Sequence, residues 1–138
     1  MPLTLEVAQK IIEAAMAKAR SMDLRVTTCV VDTEADLVAM ARMDGVPAWT
    51  GENVRGKTMV AAIYKQLSGE IADKATVPEM GKMNYKYGGK LLYRQGGVPL
   101  IINGEFVGAV GSGGGRRGQD EEIAMAAAAA VANLTAAS

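Results

Sequence analysis

Residues 100–110 read LIINGEFVGAV. No other stretch of the chain constrains the fold as tightly. Asn103-Gly104 sits between two apolar, β-type runs. A two-residue type I′ turn needs positive φ at both central positions, which Asn-Gly tolerates best. Strands joined by two residues run antiparallel, so the sheet holding them is antiparallel at this point.

A second short join lies upstream. RVTTCVVD (25–32) is rich in β-branched residues, DTEAD (32–36) supplies turn chemistry, and LVAMARM (37–43) continues as a strand. Before it, Thr4 precedes Val7, Ala8, Ile11, Ile12, Ala15 and Ala19, which is helical spacing after an N-cap. Thr50 to Leu67 reads as a second helix. Ser68 is placed as the cap of a short third helix ending near Thr76, with Pro78 as its stop. Residues 77–89 read as a long loop, KLLYR (90–94) as a strand, and the last helix starts near Asp120. Ile123, Ala127, Val131 and Leu134 mark its buried stripe. The order α-β-β-α-α-β-β-β-α predicts an α+β fold, a five-stranded antiparallel sheet covered by helices.

The glycine-rich segment GAVGSGGGRRGQDEE (108–122) matches G-x-G-x-x-G by letter at 113–118. A dinucleotide fingerprint needs a βαβ unit with a further strand and an acidic residue beyond it. Here the preceding strand belongs to a hairpin, and only one helix follows. Asp120, Glu121 and Glu122 in its first turn complement the helix dipole themselves and repel a phosphate. Two compatible readings are left for the glycines. One is a tight turn from strand to helix. The other is close approach to a ligand, with N–H groups of Gly113 and Gly114 and the side chains of Arg116 and Arg117 binding a carboxylate or oxyanion.

Composition narrows the chemistry. The chain has 138 residues, the size of one domain, so 1–138 is read as a single unit. Fifteen basic and fifteen acidic side chains cancel, which gives no electrostatic footprint for nucleic acid or anionic membrane. No run is apolar enough to span a bilayer, and the N-terminus lacks a secretion pattern. One cysteine, Cys29, cannot form an internal disulfide, so a cytoplasmic location is expected. Histidine is absent. Ser-His-Asp, Cys-His and His-metal chemistry are therefore excluded within one chain, and no metal site is expected.

ARMDGVP (41–47), Lys57 in a helix, YGGKLLYRQGGVPLIINGEFVGAVGSGGG (87–115) and QDEEIA (119–124) together resemble the GlcG/HbpS-like family, the haem-degrading and PduO C-terminal-like domains. The resemblance covers nearly the whole chain. It implies a profilin-like fold and assembly into homo-oligomers, from dimer to octamer. Some members bind haem and others are linked to cobalamin metabolism or catabolic operons. Haem binding in the family leans on histidine, which this chain lacks, so no cofactor is expected. Met, Cys or Tyr would have to serve as the axial ligand instead, and Met80, Met83, Tyr85 and Tyr87 share one segment.

Several residues carry both a bland and a sharp reading. Arg42 and Asp44 form an ion pair or turn, or line a pocket where Arg42 holds an anion. Asn53 and Lys57 are four apart and share a helix face. Lys57 falls on a small, apolar side, where it either snorkels or is desolvated into a base or amine nucleophile. Glu52 suits the helix N-terminus electrostatically. Trp49 is core or a flat wall against a ligand. Tyr85, Tyr87 and Tyr93 are interface packing or proton donors.

The leading expectation is a small-molecule-binding domain of a catabolic pathway. Its partner is a small organic ligand held by Arg42, Trp49, Asn53, Met80, Gly113, Gly114 and Arg116. An alternative is a metal-free lyase or isomerase using Lys57, Glu52, Asp44 and Tyr85. The third reading is haem or corrinoid binding without histidine.

Overall fold

The computed structural model describes residues 3–75, 77–116 and 118–134. Thr76 and Arg117, which figure in the sequence reading, lie outside them. Helix α1 (Leu5–Ser21) begins where Thr4 Oγ1 accepts the Val7 N–H at 3.1 Å, and it buries the six residues its spacing predicts. Strands β1 (Thr27–Val31) and β2 (Leu37–Arg42) pair antiparallel around a turn in which Asp32 Oδ1 accepts the N–H groups of Glu34 and Asp36.

Strands β3 (Gly97–Ile102) and β4 (Glu105–Gly113) form the Asn-Gly hairpin, with φ of 52° at Asn103 and 81° at Gly104. Strand β4 also pairs with β1, placing Thr27 opposite Gly113 and Val30 opposite Val110. The sheet order is β2-β1-β4-β3, antiparallel throughout.

The sheet therefore has four strands, not five. Residues 90–94 are irregular because other groups take their backbone. The Leu91 N–H donates to Asn84 Oδ1 and the Arg94 carbonyl accepts from Ser68 Oγ. The segment crosses α2 (Thr50–Tyr64) at Gly56, where a Cβ would collide with the Lys90 carbonyl and Leu92. A second correction concerns 77–89. Pro78 does not only end what precedes it. It occupies the first turn of a further helix, α4 (Pro78–Lys86), where its missing N–H costs nothing. Helix α3 (Ser68–Ala72) is correspondingly short. Ser68 opens it without capping it, its hydroxyl instead bridging the Arg94 carbonyl and the Gly97 N–H.

Helices cover both faces of the sheet. On one, α1 and α5 (Gln119–Val131) pack with Val30, Leu100 and Val110. On the other, α2 lies against Cys29, Val31 and Ala109, with α3 and Met80 and Met83 of α4 behind it. Helix α2 is buried nearly all round, so its sequence carries no amphipathic stripe. Its approach to the sheet needs glycine: a Cβ at Gly97 would strike the Lys57 carbonyl, and one at Gly111 the Thr58 hydroxyl. Among the described residues no helix is long and apolar enough to cross a membrane.

Candidate functional site

At the end of the sheet where β4 finishes, the N-terminal half of α2 faces the first turn of α5. The 92–95 segment, residues 113–116 and Gly118 close the sides. Together they enclose a cavity of about 700 Å³.

Lys57 forms its floor. Its side chain is 8% exposed, and Nζ stands 3.6 Å from Asp120 Oδ2, itself on a side chain 15% exposed. Burial lowers the Lys57 amine below its ordinary range. The Asp120 carboxylate opposes that shift, and the Arg94 charge adds to it. Two glycines leave room beside the amine: a Cβ at Gly96 would stand 2.6 Å from Nζ, and one at Gly113 3.4 Å.

The glycine-rich loop is held by side chains of the first turn of α5 and of the 92–95 segment. Asp120 Oδ1 accepts the Gly115 N–H at 2.9 Å, Gln119 Oε1 that of Arg116 at 2.7 Å, and Gln95 Oε1 that of Gly118 at 2.9 Å. These three donors are taken and are not open to an oxyanion. Gly114, at φ 120°, passes the Arg25 carbonyl where a Cβ would come within 2.7 Å. Tight geometry accounts for the loop.

Of the residues singled out from sequence, Lys57, Asn53, Trp49, Gly113, Gly114 and Arg116 all line this cavity. Trp49 is 65% exposed, at the rim. Arg42, Asp44, Glu52, Tyr85 and Met80 lie elsewhere. Arg42 donates to the Val46 carbonyl at 2.6 Å, and the Asp44 carbonyl accepts from Arg25 at 3.3 Å, which ties down the β2–α2 connection. Glu52 points out from the first turn of α2. Tyr85 is exposed on α4, outside the lining. Met80 packs against the second core cluster, and its carbonyl accepts from Tyr93 Oη at 3.2 Å.

Sequence reasoning missed Asp120 as a site residue, seeing only its match to the helix dipole, and missed Arg94 and Gln95 altogether. A buried lysine implies a counter-charge, but nothing local in sequence identifies it. Tyr93 also lines the cavity. Its hydroxyl lies 3.1 Å from that of Tyr64, and burial with that neighbour pushes it well above its ordinary range.

Arg94 and Arg116 stand exposed at the cavity edge, and neither makes an ion pair among the described residues. The site thus presents two guanidinium groups unpaired among the described residues at its edge and a matched amine–carboxylate pair inside. It is suited to holding a small anion and moving a proton beside it.

A family model described as "Haem degrading protein HbpS-like" matches residues 3–129. A 15.0 kDa protein of Citrobacter freundii, from the dhaT–dhaS intergenic region, is 34% identical over 131 residues, covering 91% of this chain and 89% of its own. The crystal structure of Klebsiella pneumoniae ORFY is similar with a TM-score of 0.85 at 27% identity, over 96% of this chain and 92% of that one. A crystal structure of a PduOC–haem complex is similar with a TM-score of 0.82 at 25% identity, over 95% and 96% of the two chains.

Proposed function

The chain belongs to the HbpS-like family, and on that premise we propose that it binds a small organic anion in the cavity above Lys57. One observation carries this reading. Two guanidinium groups without ion-pair partners among the described residues, Arg94 and Arg116, flank a cavity whose floor holds the matched Lys57–Asp120 pair. Free arginines at the edge of a concave site suit a carboxylate, which they bind in bidentate fashion. Trp49 supplies a flat apolar wall at the rim.

The PduOC relative, solved with haem, raises that group as an alternative ligand. The lining does not fit it as an axially ligated cofactor. The chain has no histidine, and among the described residues no Met or Cys lines the cavity. Tyr93 is the remaining candidate, but its raised pKa opposes the phenolate that iron would need.

The same proposal places the protein in the cytoplasm, as a homo-oligomer working in a catabolic pathway. The single buried thiol, Cys29, supports the compartment, and the exposed apolar Tyr85, Leu37 and Met40 support contact between copies. A profilin-like description belongs here too, supported by the antiparallel sheet with helices on both faces. An acid–base enzyme is the second reading, favoured by the Lys57–Asp120 pair at the cavity floor.

The test uses Trp49, the chain's only tryptophan, as reporter. Titration with small carboxylates is expected to change its fluorescence saturably, and the Arg94→Ala/Arg116→Ala double variant to lose the response. No response to any carboxylate, together with a stoichiometric Soret band on haem titration, would reverse the assignment.

A further inference from the structure

We propose that Lys57 forms a reversible imine with the carbonyl carbon of a small α-keto acid, with Asp120 carrying the protons. This rests on the reading of the cavity as a site for a small organic anion and assigns that anion's chemical class.

Of the chain's eight lysines, Lys57 is the one buried among the described residues. A buried ion pair is weak evidence of a stability role, because apolar replacements of similar volume are often as stable. Here the pair borders a cavity, and Gly96 and Gly113 make room for the amine there, since a Cβ at either would crowd Nζ. An amine nucleophile needs a desolvated setting and a nearby group to take its proton. Lys57 has both, with the Asp120 carboxylate 3.6 Å away. Its lowered pKa increases the neutral fraction of the amine. The guanidinium groups of Arg94 and Arg116, unpaired among the described residues, match the other end of a keto acid, its carboxylate.

The step balances within the site. The Lys57 ammonium gives one proton to Asp120, and the nitrogen lone pair attacks the carbonyl carbon. The C=O π pair moves to oxygen, which takes the proton from Asp120 to give a carbinolamine. A second nitrogen proton passes through Asp120 to the hydroxyl, which leaves as water while the C=N bond forms. One ammonium and one ketone become one iminium and one water, with no oxidant or reductant.

The test incubates the protein with pyruvate and sodium borohydride, which adds hydride to an iminium carbon and fixes the adduct as a secondary amine. Peptide mapping is expected to place one reduced pyruvyl group on Lys57. Lys57→Arg and Lys57→Met are expected to lose that adduct while keeping any trace on exposed lysines. If either variant fails to fold, the wild-type map alone still locates the adduct. Labelling spread over exposed lysines with none on Lys57, or an equal total in Lys57→Arg, would overturn the imine. Saturable Trp49 quenching by pyruvate without an adduct would overturn it too, yet leave the binding reading standing. An absent adduct together with no quenching by pyruvate or by any other small carboxylate would sink both.

Discussion

Replacing Asp120 by Asn isolates the charge on which the cavity floor depends. Asparagine keeps an oxygen for the Gly115 N–H, so the loop retains its anchor. What disappears is the counter-charge of a buried ammonium. Breaking a fully buried pair costs about 3–5 kcal/mol. Both side chains keep some exposure, 8% and 15%, which scales the cost to about 2–3 kcal/mol. For a chain of this size that is a drop of roughly 10 °C in Tm.

The loss has a defined pH dependence. Burial already holds the folded-state Lys57 pKa below its ordinary value of 10.5, and removing Asp120 lowers it further. Between the folded pKa and 10.5 the unfolded chain binds more protons at this site, so stability rises with pH there. That window is wider in the variant. The deficit of Asp120→Asn is therefore largest near neutral pH and shrinks as the solution becomes alkaline and Lys57 sheds its proton. Urea unfolding of both proteins at several pH values between about 6 and 9.5 measures this directly. A deficit constant with pH, or a variant as stable as wild type at the acid end, would refute the buried-pair argument.

Gly111→Ala drives a Cβ into the Thr58 side chain and to 3.3 Å from the Val54 carbonyl, at a strand buried under α2. An overpacking cost of about 2–3 kcal/mol is expected in urea unfolding, and a neutral result would contradict the close helix–sheet contact. Asn103→Ala forces alanine to positive φ and removes the bond from Asn103 Nδ2 to the Leu134 carbonyl. It is expected to cost about 1–2 kcal/mol, with Asn103→Gly costing less because glycine adopts the turn without strain. Burial pushes the Cys29 thiol up to about 12, so iodoacetamide is expected to leave it unmodified in the native protein at mildly alkaline pH. Rapid native labelling of Cys29, against full labelling only in denaturant, would contradict its burial.

The features legible in sequence are those whose cause is local. Asn103-Gly104 specifies its turn through backbone sterics alone, and the α1 stripe needs only helical periodicity. Lys57 stood out because a lysine on a small, apolar helix face has few explanations. Failures came where tertiary contact overrides propensity. KLLYR looks like a strand, but Asn84 and Ser68 take the Leu91 and Arg94 backbone groups that a strand would have used. Helix α4 buries no residue fully, so it lacks the stripe that would reveal it behind Pro78. The cavity joins Lys57 to Arg94 and Asp120 across long separations, and no spacing rule links them.

The most direct measurement is a crystal structure of the protein purified from its own host, inspected for density beside Lys57. The account predicts a small organic anion there, its carboxylate on Arg94 or Arg116. Density bound elsewhere, or loops closed over a Lys57–Asp120 pair with no room for a ligand, would contradict it.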